Sequence, residues 1–183
     1  MVDITDKELE SMMTFFRKKY FDGIPNIMCY FAPQEFFDDE TTEACFGLEQ
    51  NENYSITEDE LYDSYGYSHH YEIEEGFGFD YGTPSWTDPL NKPTPYIAIV
   101  ESLRNNDPRH LIGTLLHELA HYWCWYCGYD HSDGSEQYEK KLKEMGIPSN
   151  FERRFNKDTK QWEDAFDYEK MEDYYFDYLS SLE

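Results

Sequence analysis

The sequence predicts an α+β fold in which helices pack on a small β-sheet. Apolar residues recur at helical spacing in two long segments, about 6–20 and 108–126. Two short runs rich in β-branched and aromatic residues, 27–31 and 96–100, have the composition of strands. A chain of 183 residues is long enough to form one domain around a sizeable core.

The first predicted element is an amphipathic helix from Asp6 to Tyr20, with an apolar face of Leu9, Met12, Met13, Phe16 and Tyr20. Between the two predicted strands, the chain has the composition of short β or turn segments. Within it, Ser55 to Glu60 could open a short helix through a capping box. Glycines and prolines between 76 and 95 indicate a loop-rich stretch before the second strand.

A helix over about 108–126 carries the most informative motif. Asp107 is a suitable N-cap, Pro108 suits the first helical position, and Gly128 is a natural C-cap. His110, in the first turn, is expected to point away from the rest of the protein or into solvent. Well inside the helix lies an HExxH sequence, residues 117–121.

Residues four apart on a helix share a face, so the imidazoles of His117 and His121 can point at one cation. Glu118 between them is placed to take a proton from a metal-bound water. The motif therefore indicates a Zn²⁺ site with Glu118 as the catalytic residue. It predicts a hydrolase.

A catalytic zinc takes three protein ligands and keeps one position open. A turn-rich loop after Gly128 leads into a second predicted helix, about 135–145. His131 in this loop is the first candidate for the third ligand, because imidazole is common in that role. Glu136 is the second candidate and Asp133 the third, and the spacing alone leaves all three open.

These residues carry a family resemblance. The runs PYIAIV (95–100) and LIGTLLHELAHYW (111–123) resemble the strand and the motif-bearing helix of SprT-like zinc metallopeptidases. Residues 138–150 are similar to the family's following helix, and residues 9–25 resemble its first helix and turn. The resemblance covers about half of the chain. It implies a small zincin-like domain, with His117 and His121 binding zinc and Glu118 acting as general base in peptide-bond hydrolysis.

The sequence departs from the family in two places. Asp133-Gly134 stands where members often have a His-Gly pair, and there is no four-cysteine zinc ribbon. The resemblance assigns residues 1–150 to a zincin domain with an acidic, aromatic-rich insertion at about 40–95. Residues 151–183 would form an acidic helical extension. A helix over about 160–182 would dock through apolar side chains: Trp162, Phe166, Tyr174, Tyr178 and Leu182.

The formal charge of −24 is extreme, and no Lys or Arg occurs between Tyr20 and Asn91, where 17 Asp and Glu are found. Such a surface repels phosphate backbones, so direct nucleic-acid binding is not expected. A protein or peptide substrate, attracted most strongly if it is basic, is the expected partner. The alternative is an acidic binding or decoy protein on a zincin scaffold, which mimics nucleic acid or inhibits a basic partner.

The four cysteines are expected to be buried or half-buried free thiols. Cys124 and Cys127 form a CxxC at the end of the motif helix, without the second CxxC that a four-sulfur site needs. Cys124 shares a helical face with the two histidines, as a neighbour of the metal rather than a ligand. The sequence has neither a secretory signal nor an apolar run of about twenty residues, so we expect a cytoplasmic protein without membrane association.

Overall fold

The computed structural model describes residues 3–37, 40–49, 70–73, 76–79, 94–150, 154–156, 161–163 and 166–182, with backbone alone at 70–73, 76–79, 154–156 and 161–163. These segments contain four α-helices, a three-stranded sheet and two separate strand pairs, which confirms the α+β class. Most of the acidic insertion, including the predicted helix at 55–60, lies outside the described residues. None of the described helices has both the length and the apolarity that crossing a bilayer requires.

Helix α1 spans Asp6–Tyr20, as predicted. Thr5 begins it through a capping box: the Thr5 hydroxyl accepts from the Glu8 amide at 3.3 Å, and the Glu8 carboxylate accepts from the Thr5 amide at 2.8 Å. The predicted apolar face is buried except for the half-buried Tyr20, and Leu9, Met13 and Phe16 are wholly inaccessible. This face anchors the N-terminal part of the chain to the core.

The main sheet has the strand order β1-β5-β2, where β1 is Met28–Ala32, β2 is Ala44–Glu49 and β5 is Thr94–Val100. Strand β5 runs parallel to β1 and antiparallel to β2. Its last four residues are buried, because helices cover this part of the sheet. Both predicted strands, now β1 and β5, are confirmed.

Two antiparallel pairs lie outside the main sheet. Strands β3 (His70–Ile73) and β4 (Gly76–Phe79) form one pair, and β6 (Arg154–Asn156) and β7 (Gln161–Glu163) form the other.

Helix α2 spans Pro108–Cys127 and is the central element of the core. Asp107 accepts from the Arg109 amide at 2.9 Å, and Gly128 ends the helix with φ 77°, so both predicted caps are confirmed. The helix packs against β2, β5 and the other helices, and nearly its whole circumference is buried. His110 was expected to point outward, but it is buried between neighbouring elements. The motif is thereby fixed within a helix that packing holds on several sides.

Helix α3 spans Glu136–Met145 and ends at Gly146, which has φ 70°. Helix α4 spans Tyr168–Ser180 and begins later than predicted. Residues 161–163 belong to strand β7, and Asp167 starts α4 by accepting from the Lys170 amide at 3.1 Å.

The docking residues predicted for α4 are confirmed in part. Phe166, Tyr174 and Tyr178 are buried as expected. Leu182 lies beyond the end of the helix and is exposed, so the prediction for it is wrong. The side chain of Trp162 lies outside the described residues.

Gly113 of α2 provides the space in which Phe166 docks. A Cβ atom at this position would lie 2.5 Å from Cδ1 of the Phe166 ring. We expect Gly113→Ala to destabilise the fold by about 1–3 kcal/mol, because the ring must move in a packed core. Chemical denaturation measures this change. Helix propensity alone would stabilise the alanine variant by up to about 1 kcal/mol, so a more stable variant would contradict the packing described here.

The Phe166→Leu background is the matched control. A smaller side chain there leaves room for the new methyl group. Gly113→Ala should therefore be close to neutral in that background.

Candidate metal centre

The three motif residues lie together in the middle of α2. Each of His117, Glu118 and His121 offers one ligand atom, and these atoms lie within 4.8 Å of one another. His117 and Glu118 are buried, with 4% and 6% of their surface exposed, and His121 is half-buried. The structure thus brings the predicted residues together, and the group could hold a metal ion.

The ring nitrogens of both histidines lie close to one point. The hydroxyl oxygen of Tyr138, on α3, lies 2.7 Å from Nε2 and 3.2 Å from Nδ1 of His117, and 2.9 Å from Nε2 of His121. The Tyr138 ring also stacks on His121, with 4.1 Å between ring centroids. Because nitrogens of both imidazoles surround this point, the pair could hold one cation there. Two imidazoles within reach of one ion are what a metal site on a single helix requires.

A backbone carbonyl fixes the orientation of His121. Its Nδ1 donates a hydrogen bond to the carbonyl oxygen of His131 at 2.5 Å, which leaves Nε2 as the acceptor nitrogen. Burial lowers the pKa of His121 below its usual value, so the ring is neutral over a wider pH range. Metal-binding histidines commonly have such a carbonyl partner, and only the neutral ring binds a metal.

Tyr138 contacts both histidines. Nε2 of His121 accepts a hydrogen bond, so the phenol donates to it, and the same oxygen lies 2.7 Å from Nε2 of His117. Burial raises the pKa of Tyr138 well above its usual range, and the charges of Glu118 and Asp133 raise it further. The phenol therefore keeps its proton and is a hydrogen-bond donor at neutral pH.

The imidazole of His131 is not part of the ligand group. Its ring packs edge-on against Phe46 of β2, with centroids 5.7 Å apart, and its centroid is 6.5 Å from that of His121. The residue predicted first as third ligand thus contacts the site through its carbonyl oxygen. The loop conformation accounts for this, because it directs the backbone at His121 and the side chain at the sheet.

Asp133 lies opposite the two imidazoles. Its Oδ1 atom is 3.9 Å from Nε2 of His117 and 3.7 Å from Nε2 of His121. Asn150 donates to the other carboxylate oxygen of Asp133 at 3.0 Å. Glu136 is exposed in the first turn of α3. Of the three candidate third ligands, the geometry favours Asp133.

The loop that carries Asp133 is held by short polar contacts. Ser135 donates to the carbonyl oxygen of Asp130 at 2.6 Å. Glu139 accepts from the Gly134 amide and from the Ser149 hydroxyl, both at 2.9 Å. Gly134 has φ 86°, a conformation that glycine adopts most readily. These contacts fix the backbone on both sides of Asp133.

A small cleft of about 190 Å³ opens beside the ligand group. It lies between the N-terminal end of β2 and helix α2, and the described residues lining it are Thr41, Thr42, Glu43, Ala44, Thr114, His117, Glu118 and Asn150. A larger cavity of about 710 Å³ lies at the C-terminal end of α3, away from the motif residues. The smaller cleft is the relevant one, because it reaches Glu118.

The cysteines are free thiols, as predicted. Cys124 is buried, and burial raises its pKa to about 12, so it is not a thiolate at neutral pH. It is absent from the ligand group of the described residues. Cys127 is exposed, contrary to the expected burial.

Two site residues, Tyr138 and Asn150, were not singled out from the sequence. Tyr138 had a detectable signal, because it shares the buried face of α3 with Leu142 and Met145, at helical spacing. A tyrosine on such a face, shortly after an HExxH helix, is a candidate neighbour of the site. Asn150 follows the helix in an irregular segment and had no comparable signal.

Comparison with known proteins finds no matching family model, no matching curated protein and no matching solved structure. The resemblance to SprT-like metallopeptidases stays a resemblance of motifs.

The third ligand can be tested through metal affinity. We expect Asp133→Asn to weaken Zn²⁺ binding by at least about tenfold, because the amide oxygen lacks the carboxylate's charge. The zinc affinity of His131→Gln should stay close to that of the parent protein, because this variant keeps the backbone carbonyl that accepts from His121. Competition with a chromophoric zinc chelator measures both affinities. If His131→Gln weakens zinc binding more than Asp133→Asn does, the third ligand is the imidazole of His131.

Proposed function

We propose that this protein is a zinc-dependent metallopeptidase that hydrolyses peptide bonds in protein substrates. One observation carries the proposal. Two imidazole nitrogens converge on one point in a buried helix, with the carboxylate of Glu118 in the same group of ligand atoms. The motif resemblance to SprT-like enzymes and the helix-on-sheet packing of α2 support a zincin-like domain.

The donor set fits zinc. Two imidazoles and one carboxylate, from His117, His121 and Asp133, are ligand types that Zn²⁺ takes in catalytic sites. A zinc ion held there would polarise a carbonyl group and lower the pKa of water.

Glu118 is the proposed general base. It is buried, lies one residue after His117 and lines the cleft, so a water entering the cleft meets its carboxylate. The carboxylate accepts a proton from the attacking water and delivers it to the nitrogen of the departing amine. The same side chain thereby serves both halves of amide hydrolysis.

Tyr138 is the proposed donor to the oxygen of the scissile carbonyl, once a zinc ion takes the point between the imidazoles that its hydroxyl group occupies in this structure. Its phenol contacts both imidazoles and keeps its proton, because burial raises its pKa. A neutral donor held in place stabilises the negative charge that develops on this oxygen during attack by water. The stacking of its ring on His121 keeps the Tyr138 side chain beside the site.

The substrate is proposed to be a protein or peptide rather than a nucleic acid. The formal charge of −24 opposes binding to phosphate backbones and favours basic polypeptides.

The general-base role predicts a separation of metal binding from catalysis. Glu118→Gln keeps the shape of the side chain but cannot accept a proton. We expect this variant to bind stoichiometric zinc and to lose peptide cleavage by about 10²–10⁴-fold. Cleavage of an unfolded protein substrate, followed by mass spectrometry, and metal analysis of the same samples measure the two properties.

Glu144→Gln is the matched control, because Glu144 is exposed on α3 away from the motif helix. It should cleave like the parent. Proteolysis that persists in Glu118→Gln would refute the general-base assignment. Biological activity that survives Glu118→Gln but needs the surface carboxylates would instead favour the acidic binding or decoy protein.

A further inference from the structure

We propose that the cleft beside Glu118 is a specificity pocket for a basic side chain of the substrate, that of lysine or arginine. The proposal rests on the proposed function in that it takes the substrate to be a polypeptide. It adds the class of residue that the enzyme selects next to the bond it cleaves.

The cleft has the size and position of a pocket for one side chain. Its volume of about 190 Å³ equals that of about six waters at about 30 Å³ each. It shares His117 and Glu118 with the candidate metal centre, so a side chain in it belongs to a residue close to the reacting carbonyl.

The carboxylate of Glu43, which lines the cleft, is held in place by His110. Oε1 of Glu43 lies 2.9 Å from Nε2 of His110, and Nδ1 of His110 lies 3.2 Å from the Tyr168 hydroxyl. The ring of Phe166 packs against His110 with 5.0 Å between centroids. His110 is thus a positioning residue, which keeps the Glu43 carboxylate in the wall of the cleft.

A second feature points to a ligand independently of charge. Thr114 lines the cleft and is buried, with 3% of the residue exposed, and its hydroxyl group has no hydrogen-bond partner among the described residues. A buried hydroxyl without a partner is unfavourable and uncommon. An ammonium or guanidinium group entering the cleft would donate to it.

The described wall of the cleft contains the carboxylates of Glu43 and Glu118, threonine hydroxyls and an amide, but no Lys or Arg. A cationic side chain complements this lining, whereas an acidic one is repelled by it. The large negative charge of the whole chain also raises the rate of encounter with basic polypeptides. Local and long-range electrostatics therefore favour the same substrate class.

The test measures binding without cleavage. Zinc-loaded Glu118→Gln protein, which keeps the Glu43 carboxylate on which the preference depends, is titrated with labelled, end-blocked pentapeptides of alanine whose central residue is lysine, arginine, norleucine or glutamate. Norleucine has the aliphatic chain of lysine without the charge. We expect the lysine and arginine peptides to bind at least about tenfold more tightly than the norleucine peptide, and the glutamate peptide to bind most weakly.

Two further variants in the same background locate the preference. Glu43→Gln should abolish the preference for lysine over norleucine. Thr114→Val, which keeps the side-chain shape, should weaken binding of the lysine peptide but not of the norleucine peptide. Glu49→Gln is the control, because Glu49 is exposed at the far end of β2, and it should keep the full preference.

Equal binding of the lysine and norleucine peptides would overturn the proposal, as would a lysine preference that survives Glu43→Gln, or no peptide binding by the zinc-loaded protein. The proposed function fails separately. If the lysine peptide binds selectively but the parent does not cleave it, the specificity pocket is supported and the peptidase function is refuted. If the parent cleaves peptides whether or not they contain a basic residue, the peptidase function is supported and the specificity pocket is refuted.

Discussion

The convergence of the His117 and His121 imidazoles on one point constrains the surrounding structure. Two imidazoles and a glutamate inside a packed helix are costly to bury unless each polar atom has a partner. Helix α3 supplies the Tyr138 hydroxyl, and the loop before it supplies the carbonyl of His131. The loop must therefore return to α2 and be held there, which the contacts of Glu139 accomplish. The polar partners of the two histidines therefore depend on the way α3 packs against α2.

Electrostatics connect the site to the composition of the chain. The formal charge of −24 would be expected to disfavour further buried acids, yet Glu118 is buried and Glu43 is mostly buried. Glu43 is stabilised by His110, which is held by Tyr168 of α4 and by Phe166, just before that helix. The C-terminal helix thus contributes to the cleft even though it lies far from the motif in sequence. A catalytic role for Glu118 and a cationic substrate would each give such buried acids a function.

Local signals made part of this fold predictable. Thr5, Asp107 and Gly128 mark helix ends by their own hydrogen bonds or backbone angles, and apolar periodicity specifies the faces between those ends. Strand β2 was not predicted as a separate element, because its pairing depends on β5, about fifty residues further along the chain. The third ligand was not predictable from spacing. The backbone of the 130–135 loop decides whether His131 presents its ring or its carbonyl to His121, and spacing does not encode that choice.

The central claim is that a metal ion binds between two imidazoles of α2. Its remaining ligands are oxygen atoms rather than sulfur. X-ray absorption at the zinc edge of the zinc-loaded protein tests it most directly. The account predicts one zinc per chain, two imidazole ligands and otherwise oxygen or nitrogen neighbours at about 2.0–2.2 Å. A sulfur neighbour at about 2.3 Å, which would implicate Cys124, or the absence of stoichiometric zinc uptake would contradict the claim.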